Sequence, residues 1–162
     1  MILTYRVDIV YVIDYNGGTK GLDKMFTLNA TNVRKEWSSV VDSVIREKPK
    51  FIKRTHDYMF LSDFTVLENL LKAYTFSATA YTESDSSVTL SLQEIDLAEN
   101  GKDLADTKLK LAGSILNYAE DFYHDFEFWS SAPNRKGHIP YVIKALMIGD
   151  AEKIGESLKI KE

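Results

Sequence analysis

One histidine and four carboxylates crowd into the segment Asn117–Trp129, NYAEDFYHDFEFW. Glu120 and His124 are four residues apart, and Asp121 and His124 are three apart. On an α-helix both spacings bring side chains onto one face, as in the Glu-x-x-His motifs of di-iron bundles. A metal needs three or four such ligands, and those bundles use the motif twice with two further glutamates. This sequence has one copy, and no second helix carries matching ligands, so no metal and no other cofactor is expected. Glu120 and Asp121 do not suit hydrolysis either. Neighbours on a helix point about 100° apart, and nothing in the sequence buries one of them so as to raise its pKa.

Other catalytic sets are missing in the same way. His56, His124 and His138 are the available bases, but no G-x-S-x-G, Ser-x-x-Lys or H-E-x-x-H accompanies them. NGGTKG at Asn16–Gly21 lacks the GxxxxGK[ST] spacing and reads as a link between two strands, so turn chemistry explains it. A non-enzymatic protein is expected.

The elements that must present the acidic segment follow from periodicity. A long helix over about Leu104–Phe128 rests on Leu104, Leu111, Ile115, Tyr118, Phe122, Phe126 and Trp129. Asn117, Glu120, Asp121, His124, Asp125 and Glu127 then fall on its wet side, where they form the expected partner-binding face. Aromatics among carboxylates suit a basic protein surface, since rings supply contact area and acids speed and orient encounter.

Upstream, Leu3–Tyr15 alternates as a strand, and NGG at Asn16–Gly18 signals a hairpin whose return strand is Lys24–Leu28. A helix over Asn32–Lys48 is capped by Asn29 or Thr31, with Val33, Trp37, Val40, Val41, Val44 and Ile45 inward, and Pro49 stops it. A basic connector and a short strand at Tyr58–Leu61 precede a short helix capped by Ser62 or Asp63, with Leu67, Leu70 and Leu71 inward. Thr75–Thr82 and Val88–Leu97 form a hairpin with one wet face. Two short helices split at Gly149–Asp150 end the chain. The elements predict an α+β fold as one domain over residues 1–162. It has an antiparallel sheet of about four to five strands and about three to five helices, mostly on one face.

Composition is that of a soluble globular protein: 44% hydrophobic, 27% charged, and no Cys to form disulfides, thiol nucleophiles or Cys-based zinc sites. No apolar run reaches the ~18 residues that cross a bilayer. The first residues, MILTYRVDIVYVIDY, lack a basic leader and a cleavage site, so a cytoplasmic location is expected. The net charge of −4 is unevenly spread. Nine acids against three lysines lie between Glu94 and Glu127, and seven Lys/Arg against three acids lie between Arg34 and Arg54. The basic run REKPKFIKR offers Arg46, Lys48, Lys50, Lys53 and Arg54 as an alternative nucleic-acid-binding set, with Phe51 among them. The acidic net charge weighs against nucleic acid as a partner.

The tail PYVIKALMIGDAEKI, Pro140–Ile154, pairs an apolar helix with a Gly-Asp break and a second amphipathic turn. It is similar to the tail of several families of bacterial immunity proteins, which neutralise polymorphic or contact-dependent toxins. The resemblance implies a small acidic cytoplasmic α+β protein that binds one toxin or nuclease domain stoichiometrically, and it brings no catalytic residues with it. The rival expectation is a phage or mobile-element accessory protein that inhibits a host nucleic-acid enzyme or binds nucleic acid through residues 46–54.

Overall fold

Asn29 and Asp63 do what short polar residues do before a helix: their side-chain oxygens accept the orphan backbone N–H groups of Thr31 (2.8 Å) and Val66 (2.9 Å). They open the helical parts of the first of two compact units, Met1–Leu70 and Leu71–Glu162. The computed structural model describes residues 10–13 and 27–161. The sequence reads as one domain; the described residues hold two units, each with its own sheet and core. The α+β class is as expected, and the strands are shared between two mixed four-stranded sheets rather than gathered in one antiparallel sheet.

The first sheet contains β1 (Val10–Ile13), β2 (Thr27–Asn29), β3 (Lys50–Arg54) and β4 (Asp57–Leu61) in the order β1-β4-β3-β2. The expected hairpin between Leu3–Tyr15 and Lys24–Leu28 is corrected: β1 and β2 lie at opposite edges, and β2 runs parallel to β3. The NGG turn falls outside the described residues. The central places go to β3 and β4, which a two-residue turn at Thr55–His56 joins, with Thr55 at φ 56°. The basic connector is therefore a strand. It qualifies because Ile52 is buried, while Phe51 packs on Phe60 with ring centroids 5.1 Å apart across the other face.

The helix expected over Asn32–Lys48 is two, α1 (Ala30–Lys35) and α2 (Trp37–Arg46), broken at Glu36 (φ −117°, ψ 26°). The break takes α2 off the stripe that α1 would have continued. Val33, Val40 and Val44 stay buried over Ile52 and Leu61, and Trp37 and Ile45 turn outward. In α3 (Phe64–Leu70), Leu67 is buried as expected, but Leu70 is exposed.

The second sheet has β5 (Ser77–Thr82), β6 (Val88–Leu92), β7 (Leu97–Gly101) and β8 (Lys159–Lys161) in the order β7-β6-β5-β8, with β8 parallel to β5. The β5–β6 hairpin is as expected, except that its second strand ends at Leu92. A 3-10 turn at Gln93–Ile95 and a left-handed Asp96 (φ 56°) then reverse the chain into β7. Alternation sends Ala78, Leu90 and Leu92 inward, against the helices α4 (Leu104–His124), α6 (Ile139–Ile148) and α7 (Ala151–Ser157). Between α6 and α7, Gly149 takes φ 63° and Asp150 caps Lys153 N at 2.9 Å. The Gly-Asp signature is thus a helix stop followed by a helix start.

Candidate protein-binding face

The start of α4 is pinned at several points. Asp103 caps the Asp106 N–H at 2.8 Å, and the buried Thr107 hydroxyl bonds Val88 O (3.0 Å) on β6 and Asp103 O (2.7 Å). Gly101, the last residue of β7, lies so close to this first turn that a Cβ there would sit 2.6 Å from Thr107 Oγ1. Leu111, Ala112, Ile115, Ala119 and Phe122 are fully buried along the helix, which fixes its rotation. Asn117, Glu120, Asp121 and His124 are therefore exposed, and so are Asp125 and Glu127 beyond. All six residues expected on the wet side are brought to it.

The helix does not run through to Phe128. At Asp125 (φ −120°, ψ 55°) it breaks, and α5 (Phe126–Ser131) continues after the bend. Phe122 stays buried and Trp129 stays partly so, but Phe126 is 37% exposed rather than inward, and Tyr123 (57%) and Phe128 (66%) stand in solvent. The exposed rings lean on the buried ones. Phe126 meets Phe122 edge-on at 5.7 Å, Phe128 meets Trp129 at 5.7 Å, and Trp129 stacks on Phe122 at 5.9 Å. Three exposed aromatics thus sit among four carboxylates on a rigid base, the composition of an interface core within a charged surround.

Beneath them lies a polar knot that sequence reading missed. The Tyr118 hydroxyl is 2.7 Å from His138 Nδ1, and Arg135 Nη1 lies 3.4 Å from each. Asp96 Oδ2 completes the set, 3.5 Å from Arg135 Nη1 and 3.8 Å from His138 Nε2. The Arg135 guanidinium also stands 5.9 Å over the rings of Tyr118 and Trp129. Burial, and then the Arg135 charge, hold the His138 pKa below its ordinary value against the opposing pull of Asp96. Burial raises the Tyr118 pKa, and Arg135 partly offsets that. The knot ties α4, the turn before β7 and the 3-10 turn Lys136–His138 together behind the acidic face.

The metal-like spacing stays unconverted: among the described residues, no three His, Asp or Glu side chains are placed to hold a metal ion. No helix among the described residues is long and apolar enough to cross a membrane.

The alternative basic set is dispersed. Arg46 and Lys48 are exposed at the end of α2, and Lys50 faces Glu47 at 3.9 Å. Lys53 lies 5.2 Å over the Tyr58 ring on the other side of the strand, and Arg54 is exposed. Alternation along β3 puts Lys50 and Arg54 on one face and Lys53 on the opposite one.

No curated protein matches the chain. A crystal structure of the antitoxin part of a proposed toxin/antitoxin system from Syntrophomonas wolfei subsp. wolfei superposes with a TM-score of 0.78 at 30% identity. That match covers 85% of this chain and 99% of the other. Residues 25–160 match the model of the PHD-like family, described as antitoxin of toxin-antitoxin, RelE/RelB, TA system. Of the two characters read from the tail, these matches support the antitoxin and not specifically the immunity protein of polymorphic or contact-dependent toxins: the chain belongs to the PHD-like antitoxin family.

Proposed function

We propose that the protein neutralises a basic toxin, such as a nuclease domain, by binding it stoichiometrically through the acidic, aromatic end of α4 and α5. The observation that carries this is the exposure of Tyr123, Phe126 and Phe128 among Glu120, Asp121, Asp125 and Glu127, over a packed base. Asn117 and His124 extend the same face. Inhibition is by occlusion and needs no cofactor and no catalysis. The RelE/RelB description favours a toxin encoded beside the antitoxin over a polymorphic or contact-dependent toxin, and such a pair would meet in the cytoplasm.

Co-expression tests this. A toxin gene adjacent to this one should arrest growth alone and be silenced by the wild-type protein. A folded Glu120→Lys, Asp121→Lys, Asp125→Lys, Glu127→Lys variant should fail to silence it. Full protection by that variant would refute the placement.

A second reading concerns the N-terminal unit, where Arg34, Arg54 and the exposed Trp37 border a depression of about 770 Å³. A cationic rim with an exposed indole suits a nucleic-acid strand. It predicts a low-salt gel shift that Arg34→Ala and Arg54→Ala abolish and that the acidic-face variant retains. The same rim would serve an accessory protein directed at a host nucleic-acid enzyme.

A further inference from the structure

The depression in the first unit is built on one face of its sheet. Alternation puts Ile52 and Arg54 of β3 on the side that faces α1 and α2, together with Met59 and Leu61 of β4. Val33, Ile52 and Leu61 are buried and Met59 is half-buried, so the floor is apolar. Arg34 stands on the rim at the end of α1. The break at Glu36 turns Trp37 out of the packed stripe, and its indole, 50% exposed, borders the same space.

The charges on the lining are of one sign. Arg34 and Arg54 line the depression and no carboxylate does. Asp57 opposes Arg54 in the strand register but is not part of the lining. Neither guanidinium has an ion-pair partner among the described residues. An unpaired guanidinium matches a phosphate with its fork of N–H donors, and an indole presents a flat face to another ring. The volume, about 770 Å³, lies within the roughly 300–1,000 Å³ of small-ligand sites.

The positive charge ends at this rim. Lys53 lies on the opposite face of β3, and Lys50 is turned to Glu47. Grooves for single strands follow the backbone with positive charge over about four or more nucleotides, and the chain as a whole carries a charge of −4. Two arginines and one indole match one phosphate and one base.

We propose that the depression binds a single nucleotide, with its phosphate between Arg34 and Arg54 and its base against Trp37 over the apolar floor. The inference rests on the anion-binding character read for this rim and replaces the strand with one free nucleotide. It does not involve the acidic face.

The test is titration calorimetry of the full-length protein at low salt with AMP, adenosine, inorganic phosphate and an eight-nucleotide oligo(dA). AMP should bind one-to-one and at least about ten-fold tighter than adenosine or phosphate, since each of these lacks half of the contacts. Arg34→Gln and Arg54→Gln should each weaken AMP about ten-fold and leave adenosine unchanged. Trp37→Leu should weaken AMP and adenosine about ten-fold and leave phosphate unchanged. All three side chains are exposed, so the melting temperature should hold in each variant. The Glu120→Lys, Asp121→Lys, Asp125→Lys, Glu127→Lys variant should bind AMP as wild type does. Equal binding of AMP and adenosine, or indifference to both arginine variants, would overturn the proposal. An octamer more than about a hundred-fold tighter than AMP exceeds what its repeated units supply statistically; the occupant would then be a strand, and the single-nucleotide proposal would fail while the strand reading stands. Binding of neither AMP nor octamer would refute both.

Discussion

The Tyr118 hydroxyl oxygen lies 2.7 Å from His138 Nδ1, joining residues twenty positions apart and fastening the middle of α4 to the turn that leads into α6. Arg135 caps the pair from outside, and Asp96 backs both Arg135 and His138. Removing the hydroxyl should therefore be felt across the unit. Tyr118→Phe keeps the ring contacts with Phe122 and Trp129 but leaves a buried imidazole nitrogen short of its partner. The expected cost is about 1–2 kcal/mol, read as a lowered urea midpoint with an unchanged slope.

The same knot gives stability a pH dependence. The folded pKa of His138 lies below its ordinary 6.5, because burial and Arg135 disfavour the imidazolium more than Asp96 favours it. The unfolded chain then binds the proton more readily than the folded one. The contribution from neutral His138 is present above pH 6.5 and is lost as pH falls through the folded pKa. Urea midpoints measured downward from neutral pH should fall more steeply for wild type than for His138→Gln. Parallel curves would show that His138 does not titrate between the two states.

Gly101 is required by close approach. A Cβ at that position would meet Asp106 Oδ2 and Thr107 Oγ1 at 2.6 Å and the Thr107 backbone N at 2.8 Å. One of these atoms is main chain, and Thr107 is held by Val88 O and Asp103 O, so the turn cannot yield cheaply. Gly101→Ala should cost about 1–3 kcal/mol and loosen the start of α4 in hydrogen exchange. Gly113→Ala, where nothing lies within 4 Å of the added carbon, is the matched control and should be neutral or slightly stabilising.

How far the sequence could be read depended on how local the determinant was. The caps at Asn29 and Asp63 are legible because a short polar side chain and its target N–H lie two or three residues apart. The β5–β6 hairpin is legible because alternation and turn residues are both local. β8 was not, since Lys159-Ile160-Lys161 becomes a strand only by pairing with β5, some eighty residues earlier. β3 hid behind its lysines, whose charge suggested a loop while Phe51 and Ile52 carried the packing. At the acidic face the six wet residues were legible from helical periodicity, but the bend at Asp125 was not. The aromatic pattern runs through it without a Gly or Pro, so the outward turn of Phe126 went unseen. The knot of Asp96, Tyr118, Arg135 and His138 joins three separate stretches and has no sequence signature.

The central claim is that the acidic, aromatic end of α4 and α5 holds a basic toxin. Its most direct test is the affinity of the purified toxin for wild type and for the Glu120→Lys, Asp121→Lys, Asp125→Lys, Glu127→Lys variant at two salt concentrations. The account predicts that the folded variant binds at least about a hundred-fold more weakly at low salt, with most of that gap closing at high salt as the charges are screened. Equal affinities at low salt, with an unchanged melting temperature, would contradict it.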